Sequence, residues 1–296
     1  FHTVVNNEFR VIVNSMEQPA EILVRYSDTL LRKNTKETSD TDVDEGIQQA
    51  AFVFRHIEDK VLFQTLYSKQ LARRLLRGVS RSIDAERSMV SKLKEVCGYQ
   101  YTRKFSEMIG NITTSAATAT EFKNSLKASD NLSMECNIQV LQPYAWPLVQ
   151  TVHTCRIPFE LAQATQLFEK FYNGKFSGKK LTWMHSLSSV EVELLYLDRP
   201  KLVCLGSSFQ LALLLSFEKN DELSAGELGI RTQLPEKELQ RQLQALVNAK
   251  ILVTKGPVSD KSVFYLNFTF QSKNRQIKAK AAQRKTRQLS PDHQHA

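Results

Sequence analysis

The chain has 296 residues and a net charge of +9, and it is 42% hydrophobic and 24% charged. This length and apolar content predict about two globular units with buried cores. The longest apolar run, residues 209–217, is interrupted by Gln210 and Ser216 and is far shorter than the roughly 20 residues of a membrane-spanning helix. The four cysteines form no CxxC pair, which argues against a zinc or redox site, and we expect no cofactor.

Residues 19–126 are predicted to form a bundle of four or five helices, because their apolar residues recur three or four positions apart. Thr41 and Asp44 resemble a capping box at the start of the second helix. Gly78 and Gly98 each mark the end of a helix. The short connections favour antiparallel packing.

The pattern changes after residue 126, where short β-prone segments appear. Residues 127–208 are therefore predicted to form an α/β sheet unit. An amphipathic helix at residues 158–172 separates its first two strands. The predicted strands cover residues 137–142, 180–185, 190–197 and 202–205.

Residues 209–271 have the element order of a winged helix. An apolar helix comes first, Ser224 and Glu227 match a capping box, and Pro235 begins a third helix. Alternating aromatic and polar residues at 263–270 predict the second strand of a hairpin. The whole chain is therefore predicted to be α+β and mainly α.

Most of the positive charge lies near the end of the sequence. Residues 272–288 contain seven lysines and arginines and no acidic residue, and the remaining residues carry a net charge of only +2. Because this stretch is poor in apolar residues, residues 272–296 are predicted to be a basic, disordered tail.

Motifs of catalysis are absent from the sequence. There is no glycine-rich phosphate loop, HExxH zinc motif or GxSxG nucleophile elbow. His56 and His185 have no carboxylate or thiol partner at a motif spacing, so they are predicted to be structural or surface histidines. These observations favour a protein without an active site of its own.

A basic stripe is formed by Lys69, Arg73 and Arg77, which are four residues apart and so share one helix face. Arg74 and Arg81 lie close by in the sequence, and no acidic residue lies among them. The stripe fits either a solvated helix face or a docking site for an acidic partner segment.

Two further features have alternative interpretations. Trp146 and Trp183 are predicted to be core residues, but an open edge of the sheet beside them could also accept a strand from another protein. The winged helix and the basic tail could bind nucleic acid. In the third helix, however, Glu236 and Glu238 offset Lys237 and Arg241, so packing against protein is favoured over binding to DNA.

Six segments, taken in order, resemble segments of cullins, the scaffold proteins of multisubunit ubiquitin ligases. They are FRHIED at 54–59, LYSKQLARRLL at 66–76, AERSMVSKLKEVCG at 85–98, YTRKFSEM at 101–108, IQVLQPYAWPL at 138–148 and FSGKKLTW at 176–183. The resemblance covers about residues 15–272. It looks closest to the cullin-2 and cullin-1 branches.

This resemblance implies a non-catalytic scaffold, in the cytoplasm and nucleus, that recruits a RING-box protein and through it a ubiquitin-conjugating enzyme. Ubiquitin-dependent protein degradation would be the outcome. Lys69, Arg73 and Arg77 would contribute to a basic groove for the acidic tail of the conjugating enzyme. The RING-box protein would be bound by Asn137, Ile138, Gln139, Val140, Leu141, Trp146 and Trp183.

The resemblance also implies regions that this sequence lacks, so we expect a fragment. Residues 1–18 would be the end of the helical repeats that hold adaptors and substrate receptors. After about Gln276 there is no second winged helix with its modifier-acceptor lysine, and no lysine of the tail is assigned that role. A splice product, a gene-model error and a lineage-specific loss would each explain this ending.

Overall fold

The structure, a computed structural model, describes residues 2–33, 39–127, 130, 132, 134–148, 155–197, 199–271 and 276–279. The chain forms two compact units, Phe1–Asn131 with Glu135–Val149, and Leu132–Met134 with Gln150–Ala296. The described residues are α+β and mainly α, which confirms the predicted fold class. None of the described helices is both long and apolar enough to span a membrane.

The first unit is helical. Its helices are α1 His2–Ser15, α2 Pro19–Leu30, α3 Asp40–His56, α4 Lys60–Leu76 and α5 Ile83–Ser125. The predicted helix ends at Gly78 and Gly98 are confirmed, since both glycines have positive φ. At Gly98 (φ 79°, ψ 178°), α5 kinks and continues at once as a second arm.

The capping box predicted at Thr41 and Asp44 is wrong by two residues. Ser39 is the residue just outside α3, and its side chain accepts a hydrogen bond from the backbone N–H of Asp42. The Asp42 carboxylate accepts the backbone N–H of Ser39 in return. Thr41 already lies within the first turn of the helix, so its side chain is not in the capping position.

An aromatic stack forms the centre of the first core. Phe54 and Phe63 have ring centroids 4.6 Å apart, Phe63 and Tyr67 are 5.5 Å apart, and Tyr67 and Phe105 are 5.1 Å apart. All four rings are almost fully buried. Since aromatic rings bury large apolar areas, this stack holds α3, α4 and the second arm of α5 together.

Residues 135–148 also belong to the first unit, which corrects the predicted boundary at residue 127. The strand predicted at residues 137–142 is extended but is not part of a sheet in the described chain. A run of β-prone residues favours extended backbone. A sheet, however, also needs a neighbouring strand, and the neighbour here is helix α5.

The second unit mixes helices and strands. In chain order its elements are α6 Phe159–Lys175, β1 Val190–Leu194, β2 Lys201–Leu205, α7 Ser208–Leu215, β3 Glu222–Ser224, α8 Ala225–Thr232, α9 Glu236–Asn248, β4 Leu252–Thr254, β5 Val263–Leu266 and β6 Gln276–Ala279. The strand predicted at residues 180–185 is absent from the described sheets. Residues 155–271 and 276–279 lie in one unit that contains both sheets, and the predicted division at residue 208 falls within this unit.

The predicted winged-helix elements are all present. Ser224 and Glu227 form the predicted capping box at the start of α8. Leu239, Leu243 and Leu246 of α9 are buried, and β4 pairs antiparallel with β5 as the predicted hairpin. Strand β3 adds a third strand on the other side of β5.

The prediction of a disordered tail is wrong for residues 276–279. These residues form β6, which pairs in parallel with β2 in the sheet order β1-β2-β6. Alternate residues of a strand face opposite sides. Ile277 and Ala279 pack on the second core, and Lys278 between them is exposed. The other residues of the predicted tail, 272–275 and 280–296, lie outside the described residues.

Candidate functional site

The extended segment 137–142 runs along the second arm of α5. Ser115 both accepts a hydrogen bond from the backbone N–H of Val140 (2.8 Å) and donates one to its carbonyl oxygen (3.0 Å). One helical turn away, the Asn111 side-chain oxygen accepts the backbone N–H of Gln142 at 2.8 Å. Four residues of helix and two residues of extended chain each cover about 6 Å. Ser115 and Asn111, four apart in α5, therefore lie beside Val140 and Gln142, two apart in the segment.

The opposite edge of this segment is open within the described chain. In extended backbone, neighbouring residues direct their N–H and C=O groups to opposite sides. Val140 and Gln142 use the side that faces α5, and so Gln139 and Leu141 direct theirs away from it. No residue in the described ranges hydrogen-bonds the main chain of Gln139 or Leu141. The segment therefore offers one unsatisfied strand edge.

Five of the seven predicted RING-partner residues lie in this segment, and their side chains differ in exposure. Asn137 is exposed, and Ile138, Gln139, Val140 and Leu141 are half-buried. Leu141 also packs against the first core. This segment therefore presents its main chain to a partner more than its side chains.

Trp146 is a core residue in the first unit. Its side chain is 5% exposed, and its indole Nε1 donates to the side-chain oxygen of Asn111 at 3.0 Å. Asn111 therefore holds both Trp146 and the backbone of Gln142. This geometry makes Trp146 a residue that positions the extended segment, because so little of its surface is accessible to a partner.

Trp183 belongs to the second unit and is half-buried there. Its indole Nε1 donates to a carboxylate oxygen of Glu169 at 2.5 Å, and its ring packs edge-on against Phe168 with centroids 6.1 Å apart. It also stacks with His185, with ring centroids 6.4 Å apart. These contacts fix the orientation of Trp183 on helix α6.

Lys69, Arg73 and Arg77 lie on one face of α4 and its C-cap, as the spacing predicts. Lys69 and Arg77 are exposed, and Arg73 is half-buried. Partial burial lowers the pKa of Arg77, and the charges of Arg73 and Arg32 lower it further. Arg32, two residues after the end of α2, is therefore near Arg77, but it is itself paired with Asp28 at 2.8 Å. Spacing within one helix did not predict this neighbour, because it follows a different helix.

Arg74 has a different role from its neighbours. It turns into the core, where its guanidinium donates to Glu86 (2.7 and 2.9 Å) and to Asp28 (2.8 Å). Ser80 donates to the same Glu86 carboxylate at 2.8 Å. Hydrogen bonds to the two carboxylates keep the pKa of Arg74 above its ordinary value in spite of its burial. This network is structural, so Arg74 is not part of the exposed stripe.

The third helix of the winged helix, α9, does not present a positive face. Arg241 is bound by the Glu238 carboxylate through Nε at 3.0 Å and Nη2 at 2.5 Å. Glu238 is itself buried and also accepts from Gln242 at 2.7 Å. Since the acid engages the arginine, this helix has little charge available for a phosphate backbone.

Groups with metal-binding chemistry are not assembled in the described part of the chain. No cluster of three or more histidine, cysteine or acidic side chains there could hold a metal ion. The four cysteines are free thiols. Burial raises the pKa of Cys155 to about 11, which keeps that thiol protonated near neutral pH.

Comparisons with known proteins match both halves of the chain to one protein family. Residues 1–119 match the model of the cullin alpha solenoid domain, and residues 140–270 match that of the cullin alpha+beta domain. The chain is 34% identical over 282 residues to cullin-1 of Dictyostelium discoideum, which covers 92% of this chain and 36% of that protein. It is 32% identical over 308 residues to cullin-2 of Caenorhabditis elegans (96% and 39%) and 32% identical over 293 residues to cullin-4A of Homo sapiens (96% and 38%).

The chain thus spans less than two-fifths of the length of these relatives. The identities to cullins of different branches are nearly equal, so the resemblance to the cullin-2 and cullin-1 branches stays a prediction. Two consecutive domain models of one family match residues 1–119 and 140–270. On this evidence, the chain belongs to the cullin family.

Proposed function

We propose that this chain is a RING-binding part of a cullin scaffold, acting in the cytoplasm and nucleus in ubiquitin-dependent protein degradation. In this proposal a RING-box protein binds the chain and brings a ubiquitin-conjugating enzyme close to a substrate. The chain contributes no catalytic group. It acts by proximity, since holding two reactants together raises their effective concentration.

The open main-chain edge of residues 137–142 is the observation that supports this function best. Ser115 and Asn111 hold the inner edge of the segment, and the outward N–H and C=O groups of Gln139 and Leu141 are available for a partner strand. Addition of a strand gives affinity through main-chain hydrogen bonds. In this proposal Trp146 positions the segment. Trp183, which lies in the second unit, stays a predicted RING-partner residue.

The basic stripe supports the recruitment of a conjugating enzyme. Lys69 and Arg77 are exposed, and Arg73 and Arg32 lie beside Arg77. A cluster of positive charge accelerates encounter with an acidic segment, and this effect weakens as salt rises. The stripe would therefore act on association rate rather than on the chemistry of transfer.

Co-expression with a RING-box protein, followed by size-exclusion chromatography, tests the proposal. We expect co-elution of the wild-type chain. Gln139→Pro removes the outward N–H and should weaken binding by at least about tenfold, because a strand edge cannot pair where that donor is missing. Gln139→Ala is the matched control, since it shortens the same side chain and keeps the N–H.

Circular dichroism of both variants shows whether the fold is retained. The proposal fails if a well-folded wild-type chain elutes without the RING-box protein. It also fails if Gln139→Pro, with an unchanged spectrum, binds as tightly as Gln139→Ala.

A further inference from the structure

The kink at Gly98 folds helix α5 back on itself. The first arm, residues 83–97, and the second arm, residues 99–125, come close enough for Arg87 Nη2 to donate to Thr113 Oγ1 at 3.4 Å. Val90 of the first arm and Ile109 of the second are both buried in the same core. The arms therefore form an antiparallel pair with an outer groove between them.

This groove has a volume of about 290 Å³. Val90 and Ile109 form its apolar floor, and Gly110 leaves open space, since a Cβ at that position would meet no atom within 4 Å. Its sides have only cationic and hydroxyl side chains. They are Arg87, Ser91 and Lys94 from the first arm and Ser106 from the second.

The charge of the groove is largely unopposed. Within the part of the chain that the structure describes, Arg87 has one ion-pair partner, the highly exposed Asp84, at 3.2 Å. Lys94 has no ion pair within the described ranges, and its ammonium lies 5.7 Å from the ring centroid of Tyr99. The nearest acids in sequence are engaged elsewhere, Glu95 by Lys92 at 3.0 Å and Glu107 by Arg103 at 3.0 Å.

The spacing of the two cations indicates the shape of a ligand. Arg87 and Lys94 are seven residues apart, which is about 10.5 Å along a helix. In a polyproline II peptide, side chains three residues apart return to the same side after about 9.3 Å. In a β-strand, by contrast, side chains three residues apart lie on opposite faces. Two acidic residues in a polyproline II segment can thus reach both cations at once.

We propose that this groove binds an acidic peptide segment of a partner protein in polyproline II conformation, with two carboxylates three residues apart on Arg87 and Lys94. The hydroxyls of Ser91 and Ser106 lie between the cations and can bond the peptide main chain, which has no internal hydrogen bonds in this conformation. The missing side chain at Gly110 gives the peptide room to lie against the second arm.

Fluorescence anisotropy of the 296-residue chain with two labelled peptides tests the proposal. One peptide has the core Asp-Pro-Pro-Asp, and the other has the core Pro-Asp-Asp-Pro, which has the same composition and charge. We expect saturable binding of the first peptide, at least about fivefold weaker binding of the second, and weaker binding of both as salt rises from about 50 to about 300 mM. Equal binding of the two peptides, or no saturable binding, overturns the proposal.

Three variants locate the site. Arg87→Gln and Lys94→Gln should each weaken binding of the first peptide about fivefold. Gly110→Leu should weaken it at least about tenfold by filling the groove, and it should leave the chain at least as stable because leucine favours a helix more than glycine. Lys92→Gln is the control, because Lys92 lies on the same arm, outside this groove, and pairs with Glu95. A loss with Lys92→Gln as large as with Lys94→Gln overturns the proposal.

Discussion

Arg74 and Glu86 form a doubly hydrogen-bonded ion pair in which both side chains are fully buried, with Nε–Oε1 at 2.7 Å and Nη2–Oε2 at 2.9 Å. The pair joins the end of α4 to the first turn of α5. Asp28 of α2 binds the remaining side of the guanidinium at 2.8 Å. Three helices of the first unit therefore meet at one buried charge.

Glu86→Ala should destabilise the first unit by about 3–5 kcal/mol, because it leaves a buried guanidinium with only one carboxylate. Urea unfolding, followed by circular dichroism, measures the loss. Lys123→Gln is the control, since its pair with Glu135 is exposed on both sides and should contribute little to stability. Equal losses of unfolding free energy in the two variants would show that the buried pair stabilises the unit no more than the exposed pair does.

Gly98 and Gly110 should respond in opposite ways to alanine. Gly98 has φ 79° and ψ 178°, a region that almost only glycine adopts, so Gly98→Ala should cost about 1–3 kcal/mol. Gly110 lies in regular helix with open space around it, so Gly110→Ala should stabilise by about 0.5–1 kcal/mol. Thermal unfolding of both variants distinguishes them. If the melting temperature shifted in the same direction in both variants, the backbone conformation at Gly98 would not be what requires glycine there.

Stability should fall as the pH is lowered through the range of histidine titration. Burial, and then the charges of Arg55, Lys60 and Arg10, lower the pKa of His56, and burial lowers the pKa of His185. Below about pH 6.5 the unfolded chain therefore binds more protons than the folded chain, and the free energy of unfolding decreases.

Melting temperatures between about pH 7.5 and pH 5.5 measure this effect, since ordinary carboxylates titrate below that range. His56→Gln and His185→Gln should each flatten the pH dependence, although either can lower the melting temperature itself. An unchanged slope in the double variant would exclude these two histidines as its source.

Asn14 should control how firmly α1 is held. Its Nδ2 donates to the carbonyl of His56 at 2.9 Å, and its Oδ1 accepts the backbone N–H of Glu58 at 3.0 Å. Asn14→Leu keeps the volume and removes both bonds, at a cost of about 1–3 kcal/mol. Hydrogen exchange should then accelerate in α1 and remain unchanged in α4. Ser15→Ala, which removes only a bond within α1, should have no such effect.

The helices and the winged helix could be predicted because their signals are local. Apolar spacing, the capping box at Ser224 and Glu227, and the proline before α9 are all contained within a few residues. The same local rules placed Arg74 in a basic cluster with Arg73. Adjacent helical residues point about 100° apart. The inward direction of Arg74 depends on Glu86 and Asp28, which no short window contains.

The candidate site was predicted in part for the same reason. The sequence of residues 137–142 predicts extended backbone, but only the structure shows Ser115 and Asn111 on its inner edge. Strand β6 pairs with a strand more than seventy positions earlier, and four residues among many lysines give little periodic signal. Long-range pairing of this kind follows from the completed fold and not from local propensity.

The parallel pairing of β2 with β6 has a mechanical consequence for the winged helix. Leu202 lies opposite Gln276 and Leu205 opposite Ala279, and the winged helix, residues 209–271, lies between the two strands in the sequence. Because the strands are parallel, the start of β2 and the end of β6 are at opposite ends of the pair. Tension applied there loads all the inter-strand hydrogen bonds in shear, so they must break together. The winged helix then lies outside the path of the force and stays relaxed while the scaffold is pulled.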